Sequence, residues 1–255
     1  MEINGTLSAI VTGGASGLGE ATARMLSSMG AKVAIFDLDI DKGSNIAKEL
    51  NSDFYEVDVS DVNSVNQAVL DFSKQNEGIQ VAVNCAGIGP AAKTVSRGEA
   101  HSSELFAKVI NINLIGTFNV ASVCAAQMVK NDKCSEDGLR GVIINTASVA
   151  AYDGQVGQAA YSASKGGVVG LTLPMARDLS DKGVRVCSIA PGLFLTPLLE
   201  SLPTEVQESL GGQVPFPSRL GKPKEFAHLV CHIIENDMLN GEVIRLDGAI
   251  RMAPR

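Results

Sequence analysis

Apolar runs of four to six residues recur along the chain at Leu7–Val11, Lys32–Phe36, Phe54–Val57, Val81–Asn84, Gly141–Thr146, Arg185–Ala190 and Val243–Leu246. Their length suits β-strands, and Val142–Ile144 is apolar without alternation, as in a strand covered on both faces. Between these runs apolar residues return three and four apart, as in Val62, Val65, Val69 and Phe72. That spacing predicts helices over Gly17–Met29, Asp41–Leu50, Val62–Lys74, Ser103–Lys130, Ala159–Asp181 and Lys224–Glu235. Strand and helix alternate to the end, so the expected fold class is α/β, a doubly wound parallel sheet with helices on both faces. Asp58, Ser60 and Asp61 supply capping candidates for the third helix, and Asp181-Lys182-Gly183 ends the fifth. Pro174 lies inside that fifth helix, where it removes a hydrogen bond and should kink it.

No linker, composition break, repeat or low-complexity segment interrupts the 255 residues, so a single domain over 1–255 is expected. Two connections are long. Gly89–Ser102 carries Lys93, Arg97 and His101, while Gly192–Pro217 mixes Leu193, Phe194, Leu195, Leu198, Leu199, Leu202 and Leu210 with four prolines. Long connections in compact folds are often binding elements, and the second has the composition of an apolar substrate cover.

Composition narrows the partners. A formal net charge of −7, with no block of Lys or Arg, speaks against nucleic acid and against an anionic membrane surface. No apolar run reaches the ~18 residues of a membrane span. Met1-Glu2-Ile3-Asn4-Gly5 leads almost directly into the first strand, so a cytoplasmic protein is expected. Five cysteines without Cys-x-x-Cys spacing suggest reduced thiols, and His228 and His232 lack the Glu and third ligand of a zinc site, so no metal is expected.

The chemistry begins after the first strand, at Thr12-Gly13-Gly14-Ala15-Ser16-Gly17-Leu18-Gly19. Glycines between a strand and a helix let the backbone turn tightly and approach a pyrophosphate, held by free N–H groups at the helix start. Gly13, Ser16, Gly17, Leu18 and Gly19 are therefore cofactor candidates, although the spacing departs from Gly-x-Gly-x-x-Gly. Asp37 closes the second strand, where an acid accepts hydrogen bonds from an adenosine ribose and repels a 2′-phosphate. The glycine loop holds no Arg or Lys, so NAD is favoured over NADP. Asp58-Val59 is placed to meet the adenine edge, and small residues in Asn84-Cys85-Ala86-Gly87 let the backbone run close to a cofactor.

Tyr161 and Lys165 stand four apart, on one face of a helix. A phenol has a pKa of ~10, and a cation held beside it should lower that value toward the range useful for proton transfer. Ser148, at the end of the run Val142–Ser148, is placed to hydrogen-bond a substrate oxygen.

With the glycine loop, Asn84-Cys85-Ala86-Gly87, Asn113, Ser148, Tyr161, Lys165 and Pro191-Gly192 in order, the chain resembles the short-chain dehydrogenase/reductase family over its full length. Within it, Gly141–Ser148, Gly154–Lys165, Ala190–Leu199, Val214–Gly221 and Leu239–Met252 are most similar to the type II 3-hydroxyacyl-CoA dehydrogenase branch. The resemblance implies a seven-stranded sheet and a homotetramer that uses NAD to interconvert secondary alcohols and ketones, (S)-3-hydroxyacyl-CoA and 3-ketoacyl-CoA first among them. It implies that Tyr161 is the acid/base, Ser148 orients the reacting oxygen, and Lys165 binds the nicotinamide ribose. It further implies that Asn113 holds a relay water, that Pro191, Gly192 and Thr196 line the nicotinamide side, and that Gln158 faces substrate. The segment Gly89–Lys108 departs from the branch and looks shorter. A hydroxysteroid or general secondary-alcohol dehydrogenase is the alternative activity, and a non-catalytic NAD-binding scaffold the alternative outside enzymes. Relatives of the branch include mitochondrial proteins, which sets the mitochondrial matrix beside the cytoplasm as a location.

Overall fold

The computed structural model describes residues 1–254, without the side chain of Leu198, so that part of the expected cover lies outside the described residues. In chain order the elements are β1 (Ser8–Thr12), α1 (Gly17–Ser28), β2 (Lys32–Asp37), α2 (Ile40–Leu50), β3 (Asp53–Glu56), α3 (Val62–Gln75) and β4 (Val81–Asn84). A two-stranded hairpin follows, β5 (Val95–Ser96) and β6 (Glu99–Ala100), then α4 (Ser103–Ile110) and α5 (Thr117–Met128). The chain continues with β7 (Gly141–Thr146), α6 (Ala159–Asp178), β8 (Val184–Pro191), α7 (Pro197–Glu200), α8 (Thr204–Gly212), α9 (Pro223–Glu235) and β9 (Val243–Leu246).

Seven strands form one sheet in the order β3-β2-β1-β4-β7-β8-β9, and every adjacent pair is parallel. Strand residues alternate between two cores because successive side chains leave a strand on opposite faces. Val11, Ile35, Val83 and Ile144 pack with Leu26 of α1 and Phe226, Val230 and Ile233 of α9. Ile10, Phe36, Ala82 and Ile143 pack with Phe72 of α3, Val120 and Met128 of α5, and Met175 of α6. Each fully buried side chain of this size contributes about 1.5–3 kcal/mol. Chain order reverses between β1 and β4, whose ends Thr12 and Asn84 are register partners. A crevice opens beyond the strand ends at such a point, which is where α/β sheets bind ligands.

Three expectations need correction. The helix expected over Ser103–Lys130 is interrupted by a wider π-helical stretch, Asn111–Gly116, between α4 and α5. By length and composition, Ser103–Met128 also qualifies as a membrane span, with mean hydropathy 1.6 over its most apolar window, so the expectation that no stretch would is not met. Its buried side, Val109, Val120, Ala121, Cys124 and Met128, packs inside the fold, leaving Phe106, Ile115 and Phe118 exposed. Finally, neither long connection is irregular: the first contains the β5–β6 hairpin and the second the short helices α7 and α8, which prolines obscured in the sequence.

Candidate functional site

A cleft of about 870 Å³ lies along the C-terminal ends of the strands. Gly13, Ser16, Gly17, Leu18, Gly19, Asp37, Asp58 and Val59 line one end of it in sequence terms, and Ala86, Gly87, Ser148, Gln158, Tyr161, Lys165, Pro191, Gly192 and Thr196 line it too. Asn84 and Asn113 do not line it; they act from behind its wall.

The glycine loop fits a dinucleotide. Gly13 has φ +63°, and a Cβ there would fall 2.8 Å from the Ala86 nitrogen, so only glycine lets the β1 and β4 loops touch. Ser16 is the extended residue before α1, and its side chain caps no N–H, leaving the first amides of the helix open toward an anion. Asp37 accepts from the Ala15 nitrogen at 3.0 Å through one oxygen and from the Asp39 nitrogen at 3.0 Å through the other. These bonds aim the carboxylate and brace the loop while leaving lone pairs for a ribose diol. Asp58 accepts from both the nitrogen and the hydroxyl of Ser60, at 2.9 and 2.7 Å, which fixes the turn carrying Val59. Thr12, which the sequence reading passed over, accepts from the nitrogens of Cys85 and Ala86 at 3.1 Å each and so sets the Asn84–Gly87 backbone. A hydroxyl ending the apolar run Ala9–Val11 of β1 was the available signal.

Asn84 donates to Asn145 Oδ1 at 2.9 Å across the β4–β7 pair. Asn113 spends both amide hydrogens, on the Ile88 carbonyl at 2.8 Å and Ser164 Oγ at 3.1 Å, and its Oδ1 accepts from the Ile88 nitrogen at 2.8 Å. Its carbonyl accepts the Thr117 hydroxyl at 2.7 Å within the π-helical stretch. Asn113 thus buckles the widened helix to the β4 loop and, through Ser164, to the helix of Tyr161.

At the other end, α6 presents Tyr161 and Lys165 on one face, with the ammonium 5.8 Å from the ring centroid. Lys165 is buried and donates to the Thr146 carbonyl at 2.6 Å. Burial pushes the Lys165 ammonium down to about 8. The expected lowering of the Tyr161 pKa is not met in this state: burial pushes the phenol up, and Ser148 beside it pulls it only partly back. Desolvation is the larger effect, and the Lys165 ammonium, 5.8 Å from the ring centroid, does not reverse it. Ser148 Oγ accepts from the Ala150 nitrogen at 3.1 Å, which fixes its rotamer, and Gln158 Oε1 accepts from the Gln155 nitrogen at 3.0 Å, leaving its amide hydrogens toward the cleft. Cys85 also lines the cleft, with its thiol pushed up to about 11 by burial, so it stays neutral. Among the described residues no cluster of three metal-ligating side chains occurs.

Such a site can bind a nicotinamide dinucleotide along the glycine loop and exchange a proton with a substrate oxygen at Tyr161. Comparison with known proteins agrees. Residues 8–207 match the model of the family described as short chain dehydrogenase. The chain is 58% identical over 253 residues, 97% of its length and 96% of the relative's, to 3-hydroxyacyl-CoA dehydrogenase type-2 of Bos taurus. It is 35% identical over 252 residues, 95% of its length and 96% of the relative's, to ipsdienol dehydrogenase of Ips pini. The crystal structure of 3-hydroxyacyl-CoA dehydrogenase type-2 from Mycobacterium avium superposes with a TM-score of 0.94 at 43% identity, over 98% of both chains.

Proposed function

Since this chain belongs to the short-chain dehydrogenase family and is an oxidoreductase, we propose that it is an NAD-dependent dehydrogenase interconverting (S)-3-hydroxyacyl-CoA and 3-ketoacyl-CoA. The observation that carries the reading is the convergence of Ser148, Tyr161 and Lys165 on the cleft that the glycine loop and Asp37 line.

NAD held along the glycine loop would supply the hydride acceptor for alcohol oxidation and, reduced, the hydride donor for ketone reduction. Asp37 would hold the adenosine ribose and disfavour a 2′-phosphate, the open amides of α1 would hold the pyrophosphate, and Lys165 would offer its two remaining N–H donors to the nicotinamide ribose. Ser148 and Tyr161 bind the substrate oxygen. In oxidation the Tyr161 phenolate accepts the hydroxyl proton, and in reduction the phenol returns it. The Lys165 ammonium, together with the positive charge that an oxidised nicotinamide bound there would bring, would offset the desolvation that raises the Tyr161 pKa. Pro191, Gly192 and Thr196 wall the nicotinamide side, and the apolar segment 192–217 keeps water from the transfer.

Two observations support a thioester. Leu193, Phe194 and Leu199 give an acyl chain an apolar wall, and Lys108 at the same cleft gives a CoA phosphate a cation. A general secondary-alcohol or hydroxysteroid activity is the second reading, favoured by the likeness to ipsdienol dehydrogenase. A homotetramer belongs to the proposal, with exposed Ile115 and Phe118 on the α5 side as apolar surface for subunit contact. So does a cytoplasmic location. The test is NADH consumption with acetoacetyl-CoA and longer 3-ketoacyl-CoA thioesters beside steroids and simple ketones. A kcat/KM for thioesters well above the rest is expected, and the reverse ranking would overturn the substrate assignment in favour of the second reading.

A further inference from the structure

Beyond β9 the chain reverses direction and runs back over the active-site loop. Gly248 and Ala249 both have positive φ, +59° and +68°, and the Ala249 nitrogen donates to Asp247 Oδ1 at 3.0 Å, which closes the turn. A positive φ is unfavourable for alanine, so something must hold that turn in place. The residue that does so is Arg245. It donates to Asp247 Oδ2 at 2.8 Å, to Asp153 Oδ2 at 2.8 Å and to the Ile250 carbonyl at 3.0 Å, with its guanidinium 5.2 Å from the centroid of the Tyr152 ring. One side chain thereby ties the last strand, the reversal and the loop between Ser148 and Tyr161. Both carboxylates are largely buried, which strengthens the pairs relative to surface ones.

Downstream of the reversal Ile250 is buried, and two more bonds lay the strap onto that loop: the Gln155 side chain donates to the Ala253 carbonyl at 2.9 Å and the Val156 nitrogen to the Pro254 carbonyl at 3.0 Å. Between these anchor points Met252 enters the wall of the cleft, which Gln155 and Gln158 also line. The reversal also touches the two other sides of the site. A Cβ on Gly192 would fall 2.9 Å from the Asp247 Cα, and the Phe216 nitrogen donates to the Gly248 carbonyl at 3.2 Å.

From this arrangement we infer that the strap 247–254 sets the length of acyl chain or alkyl substituent the cleft accepts, with Met252 as the specificity-determining contact and the Asp153–Arg245–Asp247 cluster as its positioning device. A thioether on an unbranched stem suits such a wall, since it adapts to apolar groups of varied outline. Arg245 and Asp153 touch neither cofactor nor substrate; they act through the strap. The inference rests on the cleft being the dehydrogenase site but not on the thioester as substrate.

The experiment uses the full chain, with Met252→Ala, Met252→Phe, Asp153→Asn and Met252→Ala/Asp153→Asn beside the parent. kcat/KM is measured with NADH across 3-ketoacyl-CoA thioesters of graded length, and with NAD across 2-alkanols of graded length, while NADH affinity is followed by fluorescence. Met252→Ala should shift the long-to-short kcat/KM ratio at least about tenfold toward long substrates and Met252→Phe the opposite way, because even one methylene of pocket space is worth about that much. Asp153→Asn should move the ratio in the same direction as Met252→Ala, with little further change in the double variant and NADH affinity retained. Unchanged ratios in both Met252 variants would overturn the role of the strap. A shifted ratio in those variants with an unchanged one in Asp153→Asn would overturn the positioning role of the cluster. Should the thioesters fail as substrates, the alkanol series reads the same ratio, so the loss of the thioester reading and the loss of this inference give different results.

Discussion

Replacing Lys165 with Met tests the electrostatics of the site without any substrate. The ammonium is buried, has one hydrogen-bond acceptor at 2.6 Å, and pairs with no carboxylate among the described residues. Burial takes its pKa from 10.5 to about 8, and at 1.36 kcal/mol per pH unit that fall corresponds to about 3 kcal/mol. Because the folded value is the lower one, the unfolded chain holds more protons than the folded protein between pH 8 and 10.5. Stability therefore rises with pH through that window, and the full cost of the buried charge stands below it. Methionine fills similar space without a charge. It leaves the Thr146 carbonyl without its donor, which costs about 1–3 kcal/mol and does not depend on pH. The assay is urea unfolding of the cofactor-free protein at pH 7 to 10.5, for parent and variant together. The variant's stability relative to the parent should be greatest at pH 7 and fall by about 3 kcal/mol by pH 10.5. A difference that stays constant across this range would refute the account of Lys165 as a desolvated cation.

Two other substitutions probe the nucleotide end. Asp37→Ala removes both a ribose acceptor and a negative charge and frees the Ala15 and Asp39 nitrogens, so the NAD-to-NADP ratio of kcat/KM should fall by about 100-fold or more; an unchanged ratio counts against Asp37 as the selector. Gly13→Val places a branched side chain where even a Cβ lies 2.8 Å from the Ala86 nitrogen, so thermal stability and NADH affinity should both drop, by about 1–3 kcal/mol in stability, and a variant with parental NADH affinity would contradict the cradle.

Much of the fold was legible because it rests on periodicity. All seven strands of the main sheet lie where the apolar runs place them, the central ones because they are buried on both faces and the edge strands β3 and β9 because their partly buried apolar residues still pack on the core. Local chemistry hid the rest. Asn111–Gly116 has the composition of an ordinary helix, and its widening goes with the tertiary bonds of Asn113 to Ile88 and Ser164. Prolines in 192–217 pointed to a loop, although one of them, Pro197, starts a short helix, where its missing N–H costs nothing. At the site, the spacing of Tyr161 and Lys165 correctly placed both on one helical face, but spacing carries no information about burial, which reverses the direction of the Tyr161 pKa. Ser164 and Met252 were invisible for a related reason: each matters through a partner distant in sequence or through the path of the backbone.

The central claim is that Tyr161 exchanges the proton while the glycine-loop end of the cleft holds the cofactor. It is tested most directly by Tyr161→Phe, assayed for NADH affinity and for NADH-dependent acetoacetyl-CoA reduction beside the parent. NADH affinity within about twofold of the parent and a kcat lower by at least about 100-fold are expected, because the ring stays and only the proton donor is lost. A variant that binds NADH and retains substantial turnover would contradict the account.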